Sequence, residues 1–573
     1  MSWLVARSTT TQEANSGGKK FRFEEPLTVV ELPGLSLALG GLPDTCLWRV
    51  NQYNLSGWAV IGTGIKTSGD CSSIMDPDDW EIALGQSSFD CTALDGHFIA
   101  MRWKEGTIEF FSDQLGLRTL FYSSSNHDLC LCSRLDWTCK LSGKHALDLR
   151  ALSTRWLLFN QLDYGSGIEC ISRMGPGGKI IVRDGKLVSK EDSPWCITSS
   201  ESSETPMNAL QRLMQAAMQN QSGATLGLSG GLDSRVLLAL RMANGPHPID
   251  VHTFGEECDP DFEVAGNISR ELGLRQLLLP DEEFPVSDVL LRNLRSFAAQ
   301  MCLTEPISSF GKLRHYAQIR SSAGLLIDGG FGELARRQYL NRFVRFGSDA
   351  LKNNCYKELI QYFRVDRGRI FSEEIMQTLE QHAVNALQNT IQSMPPAGEI
   401  GMGTFADLLT IRTRVPNYGS PGQTRLDAAI QNFMPFVQPS FLRAVFSMNS
   451  KYRSRSRVHY DTIDRFNPSL ARYPLIRAGV YYPYGLSTLS ASLITRIKTR
   501  LGLKFLDRKR EGVFKSLREY ILDRSNSVDS SGMLDQRAIS TEVEGYYAGK
   551  PGLHGNLLDW WLTFTFWRDS LSE

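Results

Sequence analysis

Residues Thr225-Leu-Gly-Leu-Ser229-Gly230-Gly231-Leu232-Asp233-Ser234-Arg235-Val-Leu-Leu-Ala-Leu240 constrain the fold more than any other stretch of the chain. A short apolar run meets a Ser-Gly-Gly turn, then an acid, a serine and an amphipathic helical pattern. That order reads as strand, tight turn and helix N-terminus. A glycine turn opening onto a helix is an anion cradle built from backbone N–H groups. The two glycines let the backbone approach an anion closely, and Ser229 and Ser234 add hydroxyl donors. Asp233 would repel a bare phosphate and makes sense with a Mg²⁺ between them. The loop lacks the lysine of a Walker A motif and the spacing of a dinucleotide fingerprint. A glycine turn with no ligand is the plain alternative. The full string, in its strand–turn–helix setting, favours the ligand.

The flanking pattern sets the architecture. Before the loop, alternating or β-branched runs recur at Leu27–Leu32, Trp58–Ile61, His97–Trp103, Ile108–Phe111, Leu120–Tyr122 and Lys179–Val182, parted by Gly, Asp, Ser and Asn. They predict a layered β domain over residues 1–195. The polar stretch 190–205 serves as linker. Beyond it, over 196–573, a helix at Pro206–Asn220 precedes the strand Thr225–Leu228, a helix to Asn244, the strand Ile249–Phe254, a helix at Phe262–Leu272 and the strand Arg275–Leu279. Strands alternating with helices predict a doubly wound parallel sheet, with ligands at the carboxyl ends of the strands. From about residue 285 the pattern is mostly helical.

Composition narrows the partners. The 573 residues exceed one ordinary core, and 62 basic against 62 acidic residues leave no net charge. Neither nucleic acid nor an anionic membrane is implied as main partner. The most apolar stretch, Trp560–Trp567, is too short to cross a membrane and reads as a buried C-terminal helix. No signal peptide is visible. The 11 cysteines lack paired CxxC spacing and the nine histidines form no ligand cluster, which predicts reduced thiols, a cytoplasmic location and no zinc site.

A second loop repeats the first: Leu325-Leu-Ile-Asp328-Gly329-Gly330-Phe331-Gly332-Glu333-Leu334-Ala-Arg336-Arg337-Gln-Tyr339 reads as strand, acidic glycine turn and helix. A carboxylate there, Asp328 or Glu333, suits a Mg²⁺ shared with Asp233. Phe254, at the end of the neighbouring strand, suits either an adenine stack or the core. Asp259, Asp261 and Glu263 read as ordinary helix N-terminal charges.

The Ser-Gly-Gly-Leu-Asp-Ser string resembles the pyrophosphate-binding loop of the N-type ATP pyrophosphatases, among them asparagine synthetases, GMP synthetases, tRNA thiolation enzymes and β-lactam synthetases. The spacing of Phe254-Gly255, Glu263, Ala265, Leu272-Gly273 and the acidic loop about a hundred residues after the first resembles the asparagine synthetase family. Pro435-Phe436 resembles its Arg-Val-Pro-Phe-Leu-Asp segment with the charges lost, and Arg508-Lys509-Arg510-Glu511-Gly512 its late basic motif. Leu94-Asp95-Gly96-His97-Phe98, Ser112-Asp113 to Phe121-Tyr122, and Gly175-Pro176-Gly177-Gly178 resemble its class II glutaminase domain.

The resemblance implies an Ntn-type glutaminase-like front domain and a pyrophosphatase-type rear domain. It implies ATP and Mg²⁺, with nucleotide contacts from Leu228, Ser229, Gly230, Gly231, Leu232, Asp233, Ser234, Phe254 and Gly329. It implies adenylation of a small-molecule or peptide carboxylate, with Lys509 or Arg510 stabilising developing charge, and then attack by ammonia or an amine. Glu333 and Tyr339 are the candidates for the base. A homodimer or a pathway protein partner is compatible with it.

Two departures matter. The family's glutaminase needs a cysteine at position 2, where this chain has Ser2. The family's Gly-Glu-Gly-Ala-Asp-Glu-Leu aligns on 328–334, so Gly329 and Gly332 replace acids. Asp95, which in the family holds the glutamine α-amine, is kept. The expectation is a dead glutaminase and an altered acyl pocket, as in amide ligases of natural-product or surface-polysaccharide pathways. A glutamine-hydrolysing asparagine synthetase, an intramolecular β-lactam or lasso-peptide cyclase and a non-catalytic scaffold are the rival readings.

Overall fold

A computed structural model describes residues 2–8, 23–32, 34–51, 55–125, 128–197, 204–219, 223–244, 249–256, 258–280, 288–477, 479–486, 508–527, 529, 531–550 and 555–572. The side chains of 312–314, 508 and 509 lie outside the description.

The front of the chain is two stacked antiparallel sheets. One runs in the order Ser172–Arg173, Phe121–Ser124, Leu129–Cys132, Trp3–Ser8, Leu35–Gly40, Thr28–Leu32. The other runs Lys186–Glu191, Lys179–Arg183, Thr107–Ser112, Asp95–Lys104, Ser56–Ser68, Cys46–Val50, with Cys71–Ile74 added to the long strand Ser56–Ser68. Strand alternation explains the layering. Ala59, Ile61, Ile99 and Met101 turn inward onto Leu4, Leu37 and Leu39 of the first sheet. Their neighbours Trp58, Val60, Phe98 and Ala100 turn outward and are covered by Trp80 and Leu84. These belong to the helix Pro77–Gly85, whose N-terminus is closed by a reciprocal Asp76–Asp79 capping box.

The rear is a five-stranded, wholly parallel sheet. Its order is Arg275–Leu279, Asp250–Phe254, Ala224–Gly227, Leu325–Ile327, Gln431–Phe433. Numbered along the chain, that is 3-2-1-4-5, the doubly wound order, and it reverses direction between Ala224–Gly227 and Leu325–Ile327. The helices Leu232–Ala243 and Pro260–Glu271 supply the first two crossovers, and Pro206–Met218 leads into the first strand. Expected and observed ends differ by a residue or two, as fraying termini do.

The mostly helical region beyond 285 carries the strand Leu325–Ile327 expected ahead of the second loop, and adds the strand Gln431–Phe433 and the hairpin Leu475–Arg477/Val480–Tyr482, whose runs of three residues are too short to show a period. One expectation is corrected. The second loop does not lead straight into an α-helix. A 3₁₀ turn, Gly332–Leu334, follows, and Phe331, Arg337 and Leu340 all take left-handed backbone angles that interrupt helical propagation.

The largest apolar core spans the two halves: Leu115, Leu117, Phe121 and Trp156 join Leu226, Leu237, Phe297 and Phe436. The C-terminal helix Asn556–Ser572 buries Trp560, Trp561 and Trp567 in it. Among the described residues no helix is long and apolar enough to cross a membrane.

Candidate functional site

The two glycine loops leave adjacent parallel strands at the point where the strand order reverses. They border a cleft of about 660 Å³. Leu228, Ser229, Gly231, Asp233, Ser234, Phe254, Asp328 and Gly329 line it, joined by His252, Asp261 and Tyr316. Of the residues expected at the nucleotide, Gly230 and Leu232 are not on its wall.

Three amides of the first loop, those of Ser229, Gly230 and Gly231, are already answered. Ser229 N donates to Ser234 Oγ at 3.2 Å and Gly231 N to Ser229 Oγ at 3.1 Å. Gly230 N donates to Asp261 Oδ1 at 2.9 Å. Asp261 is therefore a partner of the loop as well as a helix N-terminal charge. Burial raises its pKa, opposed by the Gly230 bond and supported by the neighbouring Asp259. Gly230 has a second reason to be glycine. Its carbonyl accepts from Ile476 N at 2.9 Å, and a Cβ would overlap the Ile476 side chain. The hairpin thus seals the outer side of the loop. Arg235, fully buried, donates to Gly230 O at 3.1 Å and to Tyr473 O at 2.9 Å, tying loop to hairpin.

Asp233 points across to the second loop. A Cβ on Gly332 would run into its carboxylate, so the glycine that stands in place of an acid makes room for Asp233. Arg336 pairs with Asp233 Oδ2, and His459 Nε2 lies 2.8 Å from Oδ1. Burial works against the charged carboxylate, but Arg336 and His459 outweigh it and hold the Asp233 pKa below the usual range. Neither Arg336 nor His459 belongs to a motif, and burial, partly offset by Asp233, lowers the His459 pKa. Asp328 Oδ1 accepts from Gly330 N at 2.9 Å. Gly329 packs at ordinary contact distance against the backbone of Asp233 and Ser234.

Phe254 packs edge-on to His252 and near His315 and Tyr316, so it serves the core while its residue lines the cleft. His252 shares a 3.1 Å hydrogen bond with Thr225 Oγ1, and burial pushes its pKa down to about 4. Tyr316 is pushed up to about 12, chiefly by burial.

The other expected residues lie elsewhere. Glu333 is off the cleft wall and accepts from Tyr339 Oη at 3.4 Å. Arg510 is held by Asp559 of the C-terminal helix at 2.9 Å, and Asp559 also accepts from Ser308 Oγ at 2.6 Å. The Lys509 side chain falls outside the described residues. No group of three or more His, Cys, Asp and Glu side chains among the described residues has the geometry of a metal site.

The front domain's candidate pocket is a contrast. Ser2 is 0% exposed. Its hydroxyl touches Thr45 Oγ1, and its carbonyl accepts from Arg118 Nη2 at 2.9 Å. The pocket is filled by the rear domain. Asp427, also 0% exposed, lies 3.2 Å from Arg118 Nη1 and 3.1 Å from His97 Nε2, and accepts from Asn432 Nδ2 at 2.7 Å. Asp95 Oδ1 accepts from Ser440 N at 2.8 Å, and Gly96 N donates to Gln438 Oε1 at 2.6 Å.

No family model and no curated protein matches the chain. Among solved structures it is similar to a glutamine phosphoribosylpyrophosphate amidotransferase from B. subtilis complexed with ADP and GMP. That match has 11% identity and a TM-score of 0.20, over 48% of this chain and 59% of that one. It is also similar to an allosteric regulatory enzyme of purine biosynthesis, with 12% identity and a TM-score of 0.21, over 61% and 72% of the chains. A third is the NMN synthetase from Francisella tularensis, with 17% identity and a TM-score of 0.19, over 38% and 93%. The chain thus spans about three-fifths of the first of these structures. Similarity at this level carries no activity across.

Proposed function

We propose that the chain is an ATP-dependent, AMP-forming carbon–nitrogen ligase. It would adenylate a substrate carboxylate in the rear cleft and pass the acyl group to ammonia or an amine. The observation that carries this reading is the pairing of the two glycine loops across the switch point of a doubly wound sheet, with Asp233 and Asp328 on one wall of an open cleft.

The donor set fits the nucleotide. Gly230 N already holds a carboxylate, Asp261, and the Ser234 and Ser229 hydroxyls accept from the amides of Ser229 and Gly231. Phosphate oxygens can take over these bonds without moving the backbone. The hard carboxylate oxygens of Asp233 and Asp328 suit Mg²⁺, which would supply charge neutralisation to the phosphates. Arg336, beside Asp233, adds a fixed positive charge next to the leaving pyrophosphate. The substrate carboxylate oxygen attacks the α-phosphorus and the α,β-bridging oxygen leaves with pyrophosphate. The amine nitrogen then attacks the acyl carbon and AMP leaves. Glu333, paired with Tyr339 beside the second loop, is the base proposed for the amine proton.

The burial of Ser2 under Asp427 favours a supplied amine or free ammonia over glutamine. The test is release of AMP and pyrophosphate from Mg-ATP with aspartate and either ammonia or glutamine. Asparagine from ammonia alone makes the chain a synthetase with a silent front domain. ATP bound without turnover transfers the search to other carboxylates and to intramolecular cyclisation. Absence of ATP binding overturns the reading in favour of a scaffold.

A further inference from the structure

The seam between the front sheets and the rear helices encloses a cavity of about 20 Å³, room for one small guest. It shares no wall residue with the rear cleft. Three arginines of the front domain line it: Arg134, Arg155 of the helix Leu149–Leu157, and Arg173 of the strand Ser172–Arg173. Arg134 is neutralised, because its Nε and Nη2 hold the two carboxylate oxygens of Asp136, also on the wall, at 3.0 and 2.5 Å. Glu24, 40% exposed, meets the same arginine at 3.5 Å. Arg155 and Arg173 are 5% and 3% exposed, and neither forms an ion pair with a described residue. Arg155 donates to Gln161 Oε1 at 2.7 Å and to the Cys302 carbonyl at 2.8 Å. Arg173 donates to the Pro416 carbonyl at 3.0 Å and to Asn417 Oδ1. All four acceptors are neutral, so they answer N–H groups and leave the charges.

Two polar atoms of the wall residues are left over. Arg173 Nε and Thr424 Oγ1 are buried and have no hydrogen-bond partner among the described residues. Thr424 is 6% exposed and comes from the rear helix Ser420–Leu426. One carboxylate, Asp163, acts on both Arg155 and Arg173. It is off the cavity wall, and its Oδ1 accepts from Gln161 Nε2 and Gly165 N, each at 3.0 Å. The Cys302 thiol, on the wall, stays neutral because burial raises its pKa. Two guanidinium charges therefore share one acid. Burial, with Arg155 beside it, lowers the Arg173 pKa to about 10. Buried charge of this kind is costly unless an anion meets it. Size and chemistry select the guest. A carboxylate, phosphate or sulfate is too large for the cavity. Phe121, Leu135 and Pro421 give it apolar wall, which suits a weakly hydrated ion. A water fits the space and brings no charge.

We propose that this cavity is a binding site for a single halide ion, held by Arg155, Arg173 and Thr424. The arginines come from the front domain and the threonine from the rear, so the ion ties the two together. The unfolded chain has no such site, and halide binding therefore adds to folding stability.

The test follows thermal unfolding of the full chain in chloride or bromide, with gluconate replacing halide at fixed ionic strength so that general screening is constant. The unfolding midpoint is expected to rise with the logarithm of halide concentration, by about 1 °C for each tenfold increase once the site fills. Arg173→Met should abolish that rise. Thr424→Val, which keeps the shape and removes one hydroxyl donor, should need about tenfold more halide for the same rise, and it carries the test if Arg173→Met does not fold. Crystals soaked in bromide should show an anomalous peak in the cavity beside Arg155 and Arg173. A midpoint indifferent to halide overturns the proposal. So does the same halide dependence in wild type and both variants, which would place the ions on the outer surface, and so does a cavity that holds only water in bromide-soaked crystals.

Discussion

The front pocket and the rear cleft are both polar hollows at the ends of sheets, and they are closed in opposite ways. In the front, Ser2, Asp95, His97 and Arg118 are buried, and Asp427, Gln438 and Ser440 of the rear domain answer them. In the rear, the amides of Ser229, Gly230 and Gly231 are answered by Ser234, Asp261 and Ser229, short side chains of the cleft itself, around an open volume of about 660 Å³. Donors satisfied by their own neighbours exchange them readily for a ligand. Donors satisfied by an ion pair from another domain must first break a buried contact, which costs about 3–5 kcal/mol. The first arrangement stays open to a ligand and the second is a joint.

The sharpest way to break this comparison is Asp233→Asn. It keeps the shape and removes the charge that meets Arg336 and His459. AMP formation is expected to fall by at least about a hundredfold, read by release of AMP and pyrophosphate. Retained activity would remove the rear cleft from the chemistry.

Next in size is the joint. Arg118→Met strands Asp427 in the interior with His97 and Asn432 alone, and unfolding free energy in urea should drop by about 3–5 kcal/mol. A loss below about 1 kcal/mol would mean that the front pocket is held as loosely as the rear.

Acid should then separate the two regions. His252, on the rear cleft wall, takes its proton near pH 4 when folded and near 6.5 when unfolded. Between those values the unfolded chain binds more protons, so stability rises with pH. About 3 kcal/mol from this group, present above pH 6.5, is lost on acidification to pH 4. His252→Gln should flatten that part of the pH–stability curve. An unchanged slope would place the acid sensitivity elsewhere.

The smallest effect expected is that of Ser2→Cys. A better nucleophile in a filled pocket should leave glutamine hydrolysis at background and ammonia-dependent turnover unchanged. Glutaminase activity in this variant would show that the front pocket opens, and the contrast between the two regions would collapse.

What was legible in the sequence was local. The run from Thr225 to Leu240 announced strand, turn and helix because each signal lies within a few residues of the next. The acidic glycine loop at 328–333 was legible for the same reason up to Phe331, where left-handed backbone halts the expected helix. The strand Gln431–Phe433 was hidden by its length, since three residues carry no period. Asp261 was read as a helix-end charge, its commonest role, and its bond to Gly230 depends on how that helix docks. Arg336 and His459 carry no motif; they reach Asp233 from 103 residues away on the second loop's chain, and from the helix Arg457–Phe466.

By itself the sequence determined the layered β front, the doubly wound rear and the two facing loops. Backbone hydrogen bonding and apolar periodicity are short-range properties that a run of residues carries with it. Only the tertiary structure decided which hollow stays open. The closing contacts run from Ser2 Oγ to the Asp427 carbonyl, residues 425 apart, and from the Asp427 carboxylate to Arg118. Whether a buried carboxylate meets an arginine across such a distance is settled by packing, because the desolvation cost of each charge is met only when both arrive together.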